Sequence, residues 1–63
     1  MKVQAYRLEL EDKNGNFRGC HHYNTTEEAE MQLKRHNYLV EYYANIMPSN
    51  KRYGTIWETE LTA

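Results

Sequence analysis

The sequence predicts an α+β fold: a ββαβ chain with a three-stranded antiparallel sheet, in strand order 2-1-3, and one helix packed on one face. Three observations lead there. Apolar and polar residues alternate near both ends of the chain, Asn14-Gly15 follows the first alternating stretch, and the long segment between Thr25 and Pro48 has helical spacing instead.

The first strand is read over Lys2 to Glu11. In "KVQAYRLELE", Tyr6, Leu8 and Leu10 fall on one side and Arg7, Glu9 and Glu11 on the other, which is the period of a half-buried strand. Asn14-Gly15 then predicts a two-residue type I′ turn, because both central residues of that turn need positive φ and Asn and Gly tolerate it. A second strand, Asn16 to Tyr23, folds back on the first. With Lys13 facing Asn16, the expected register sets Leu10 opposite Gly19, Leu8 opposite His21 and Tyr6 opposite Tyr23. It also pairs Glu11 with Arg18 across the strands.

"TTEEAEMQLKRHNYLVEYYANIMP" reads as a helix. Thr25 followed three residues later by Glu28 fits a capping box, and Glu27, Glu28 and Glu30 suit the positive end of the helix dipole. Pro48 marks the expected stop. At 100° per residue, Ala29, Leu33, His36, Val40, Tyr43 and Met47 share a face, flanked by Leu39 and Ile46, and this stripe is expected to cover the sheet. "RYGTIWETELT" alternates again and supplies the third strand. Its Trp57 side is the expected inward face, since the other carries Glu58 and Glu60. A right-handed crossover from the second strand then places the third beside the first, leaving one sheet face uncovered.

Composition bounds the function. At 63 residues the chain is expected to form one domain over 1–63, of a size whose core barely offsets the entropy of ordering, so oligomerisation is expected. The single cysteine, Cys20, cannot form an internal disulfide, and no basic segment with an apolar run of signal-peptide length opens the sequence. A soluble, cytoplasmic protein with no membrane association is the expectation. Eight basic against nine acidic residues, with no basic run longer than two, leave no broad positive surface for nucleic acid. Six tyrosines and one tryptophan are the outlier in so short a chain, and such residues serve both cores and contact surfaces.

"GCHHY" has the residue types of a metal or thiolate site. On a strand, however, Cys20 and His22 point to the open face and His21 toward the helix. His21 and His36 together offer two ligands where a zinc site needs about four. No Gly-rich loop precedes a helix. No catalytic residue, metal site or cofactor is therefore assigned, and an enzyme is not expected.

Two surfaces stand out. Met31, Arg35, Tyr38 and Tyr42 cluster on the helix back, opposite the core stripe, and are of the types enriched at contact surfaces. Val3, Ala5, Cys20 and Ile56 are expected on the open sheet face, an apolar centre among charges suited to self-association as a homodimer, with pairing of edge strands as the competing route. The leading expectation is a non-enzymatic protein-binding module whose partner engages the helix back. The alternative is a small nucleic-acid-binding regulator using Lys34, Arg35, Lys51 and Arg52. In architecture alone, a short chain of strand hairpin, "TTEEAE" helix and closing strand resembles small accessory proteins encoded by phages and other mobile elements. That resemblance implies a viral accessory protein acting in the host cytoplasm as an inhibitor or adaptor of a host protein, and assigns no functional residue.

Overall fold

The computed structural model describes residues 2–62. It is an α+β arrangement in the order β1 (Lys2–Glu11), β2 (Phe17–Tyr23), α1 (Thr26–Tyr43) and β3 (Gly54–Thr62). The sheet order is β2-β1-β3, and β1 pairs antiparallel with both neighbours. The helix lies on the face that carries Leu8, Leu10, His21 and Tyr23.

The β1–β2 register holds as expected along the body of the hairpin, with Tyr6 opposite Tyr23, Leu8 opposite His21 and Leu10 opposite Gly19. Its turn differs. Asp12 rather than Lys13 closes the loop, donating its N–H to the Asn16 carbonyl at 2.9 Å, while Gly15 N–H returns to the Asp12 carbonyl at 3.1 Å. The Asp12 side chain accepts from the amides of Asn14 (2.8 Å) and Asn16 (2.9 Å). This carboxylate organises a three-residue loop, Lys13-Asn14-Gly15, in which only Gly15 takes positive φ, 85°. Such a loop leaves the strands one residue out of step with the apolar pattern. A bulge at Arg18 and Gly19 restores it: Glu11 faces Phe17, not Arg18, and the next pair is Leu10 with Gly19. Burying Leu8 and Leu10 outweighs ladder continuity, because a one-residue slip would turn both to solvent.

α1 starts as the capping box predicts, with Thr25 Oγ1 accepting the Glu28 N–H at 3.2 Å. It ends before Pro48. Asn45 takes φ 55°, Asn45 N–H reaches the Tyr42 carbonyl and Ile46 N–H the Glu41 carbonyl at 3.0 Å. These two bonds make a Schellman cap. Ile46 and Met47 therefore lie outside the helix and are exposed, as is Tyr43, so none of these three extends the core stripe. The buried line of the helix is Ala29, Leu33 and Glu41, with His36 and Val40 half-buried.

The face of β3 is the main correction. Ile56 stands opposite Leu8, which is fully buried, whereas Trp57 stands opposite Arg7. Directly paired residues share a sheet face, so Ile56 points toward the helix and Trp57 away from it. Glu58 and Glu60 share Ile56's face, but Glu58 pairs with Tyr6 and Glu60 with Gln4, toward the end of the sheet beyond the Leu8–Leu10 contact with the helix. Two glutamates at a strand end thus do not decide which face of its middle is inward. Gly54 seats the helix: a Cβ there would lie 2.6 Å from the Glu9 carbonyl oxygen and 2.9 Å from Leu33 Cδ1. The apolar core is small, consisting of Ala5, Leu8, Ala29, Leu33 and Tyr53 among the buried residues.

Candidate protein-binding surface

The helix back is built by spacing. Met31, Arg35, Tyr38 and Tyr42 follow one another at intervals of four, three and four residues and are all exposed, because Ala29 and Leu33 take the opposite side and Glu41 the flank between. The Tyr38 and Tyr42 rings stack with centroids 6.0 Å apart and planes 20° from parallel, and Tyr43 meets Tyr42 edge-on at 5.3 Å. The Schellman cap then turns Ile46 and Met47 back toward these rings. Tyr38, Tyr42, Ile46, Met47 and Pro48, together with the polar Glu41 and Asn45, line an open hollow of about 410 Å³. Periodicity had placed Tyr43, Ile46 and Met47 in the core stripe and so missed them as surface residues. The signal for them was Asn45, a residue type that accepts the left-handed conformation ending a helix three residues before Pro48.

A second hollow, about 730 Å³, separates α1 from the returning segment Ser49–Arg52. Three polar contacts hold that segment. Ser49 Oγ donates to Glu41 Oε2 at 2.7 Å, the Tyr53 N–H donates to Asn37 Oδ1 at 2.8 Å, and Arg52 pairs with Glu30 at 3.2 Å. Lys51 Nζ sits 5.3 Å from the Tyr53 ring centroid. Lys34, Lys51 and Arg52 thus border one groove, but Glu27, Glu30 and Glu41 border it too. Arg35 lies apart, along a shallow hollow shared with Leu8, Leu10, His21, Gln32 and His36. The four basic residues considered for a phosphate backbone do not form one positive surface.

The "CHH" triplet is divided by the pleat. Cys20 and His22 stand opposite Glu9 and Arg7 on the open face, and His21 stands opposite Leu8. His36 Nε2 lies 2.7 Å from the Glu11 carbonyl oxygen, which can only accept, so Nε2 carries the proton. Among the described residues, no three His, Cys, Asp or Glu side chains come together to hold a metal ion. Of the self-association residues, Val3, Ala5 and Cys20 share the open face, while Ile56 lies on the other and Trp57 takes its place.

Among the described residues no helix is long and apolar enough to cross a membrane. Comparison with models of known families, with curated proteins and with solved structures finds no match to this chain.

Proposed function

We propose that this chain is a non-enzymatic protein-binding module that engages its partner through Met31, Arg35, Tyr38 and Tyr42. The observation that carries the reading is the Tyr38–Tyr42 stack beside a hollow lined mostly by apolar residues, on a helix side that the core does not use. The stacked rings offer a partner's apolar side chain a broad surface to pack against, with Arg35 one turn away on the helix. Tyr43, Ile46 and Met47 extend the apolar area at the C-terminal end of the helix. Working in the cytoplasm as a homodimer, and occupying a surface of a host protein as an inhibitor or adaptor, accords with the likeness in architecture to accessory proteins of mobile elements.

The test is the double substitution Tyr38→Ala with Tyr42→Ala. Proteins that co-purify with a tagged copy from its native cell are identified by mass spectrometry, and the strongest is then titrated, purified, against both forms. The double variant is expected to keep its circular dichroism spectrum and lose at least about tenfold in affinity. Unchanged affinity would remove the helix back from the interface.

A further inference from the structure

We propose that the uncovered sheet face is a self-docking surface on which a second copy of this chain stacks, face to face, with its strands antiparallel to the first. The proposal rests on the homodimeric reading above and goes beyond it by choosing the surface and the orientation.

The register gathers the exposed apolar side chains of the sheet on this face. Val3 pairs with Leu61, Trp57 with Arg7, and Phe17 with Glu11. Phe17 is 62% exposed, Trp57 54%, Val3 44% and Leu61 41%. Phe17 reaches this face only because of the loop and bulge, since the two-residue turn would have paired Glu11 with Arg18. The buried apolar core numbers five residues among those described, one of which, Ala5, already lies on this face, so a second layer here would add to a small core.

The pattern complements itself. Val3 and Phe17 lie at opposite ends, separated by the eight β1 steps from Val3 to Glu11, roughly 26 Å at about 3.3 Å per residue. Pairing of β2 stops at Tyr6 with Tyr23, so the face has no third strand beside Val3. A two-fold axis running across the strands, between the two sheets and at the level of Leu8, carries Phe17 of each copy, which is level with Glu11, to the level of Ala5 in the other, where β2 has already ended. Arg7 Nε lies 3.4 Å from Glu9 Oε1. Centred between these residues, the same axis sets Arg7 of each copy over Glu9 of the second and packs the two Trp57 rings beside them. Arg7 and Glu9 of each copy then meet their opposites, and each Phe17 is covered by the face of the other copy.

The area is sufficient for a weak, specific dimer. Three strands about 4.8 Å apart and about nine residues long present a face of roughly 14 by 30 Å. Covering it on both copies removes on the order of 1,000 Å², at the lower bound for a specific interface, so a micromolar dissociation constant is expected.

The competing route is strand addition at the free edge of β3, and one substitution isolates it. Glu11 N–H bonds to the Tyr53 carbonyl, so by alternation the backbones of Thr55, Trp57 and Thr59 turn to β1 and those of Ile56 and Glu58 turn outward. Glu58→Pro therefore removes an outward donor and blocks edge pairing without breaking the β1–β3 ladder.

Sedimentation equilibrium on the full chain from about 2 to 200 μM is expected to show a monomer–dimer equilibrium. Trp57→Glu should raise the dissociation constant at least about tenfold with an unchanged circular dichroism spectrum, and Glu58→Pro should leave the dimer intact. In the unaltered chain, emission from Trp57, the only tryptophan, should move to shorter wavelength over the same concentration range. A monomer throughout would overturn both the dimeric reading and this face. A dimer that survives Trp57→Glu and fails with Glu58→Pro would leave the dimer standing and overturn the face. Should Trp57→Glu not fold, an emission maximum that stays constant while the unaltered chain dimerises would overturn the face by itself.

Discussion

Ser49 Oγ donates a 2.7 Å hydrogen bond to Glu41 Oε2, and Glu41, 7% exposed, is the charged side chain that the described part of the fold buries. Together they tie the segment after the helix to the helix flank and so set the path by which the chain enters β3. Removing the hydroxyl leaves a buried carboxylate short of a donor. Ser49→Ala is expected to cost about 1–2 kcal/mol in urea unfolding. Glu41→Leu removes the buried carboxylate itself, and the exposed Ser49 hydroxyl can turn to water, so this variant is expected to be near neutral. Equal losses in both variants would show that the pair does not act as a unit.

Gly54 is required by packing. The Cβ of an alanine would meet the backbone oxygen of Glu9 at 2.6 Å as well as Leu33 Cδ1 at 2.9 Å, and a central-strand carbonyl cannot swing aside. Gly54→Ala should cost about 1–3 kcal/mol, read as a drop of about 4–8 °C in melting temperature per kcal/mol. A change of less than about 1 °C would mean that β1 and β3 can separate locally to admit a methyl group.

Acid should loosen the hairpin loop before the rest of the fold. The amide of Asn16, then desolvation in the opposite sense, then the amide of Asn14 act on the Asp12 carboxyl, and together they hold it below its ordinary value of 3.8. A depressed folded-state pKa contributes stability that is present above the unfolded value and lost as pH falls through the folded one. Amide exchange at Asn14 and Asn16 should therefore accelerate, relative to the helix, once pH drops below about 4. In Asp12→Ala this added acid sensitivity should vanish; if it persists, another carboxylate controls the loop.

Asn45 holds a left-handed conformation, φ 55°, at the helix end. Glycine meets no Cβ penalty there, so Asn45→Gly is expected to raise stability by about 0.5 kcal/mol, and Asn45→Val to lower it by about 1 kcal/mol or more. Thermal melts of the two variants should move in opposite directions. A shift in the same direction would place the end of the helix elsewhere.

By itself the sequence determined the elements, their order, the start of the helix and most of one register. Alternation around Leu8 and Leu10 outlines β1, Thr25 with Glu28 caps α1, and the pairs Tyr6–Tyr23 and Leu8–His21 follow from keeping apolar residues together. These features depend on neighbours within a few residues or on a pattern that only one register satisfies. The helix-back tyrosines were legible for the same reason, since spacing alone places Tyr38 and Tyr42 opposite Ala29 and Leu33. The tertiary structure decided the rest. The period of β3 fits either face, with Ile56 on one and Trp57 on the other, and only its pairing with β1, Ile56 to Leu8 and Trp57 to Arg7, makes the choice. The loop is closed by the Asp12 carboxylate, whose effect on turn length depends on a bulge six residues later. Glu41 is buried where an apolar residue would be expected, because Ser49 returns to meet it. In each case the deciding partner is on another strand or another segment, so two arrangements of similar local energy are separated only by a contact that forms when the chain folds.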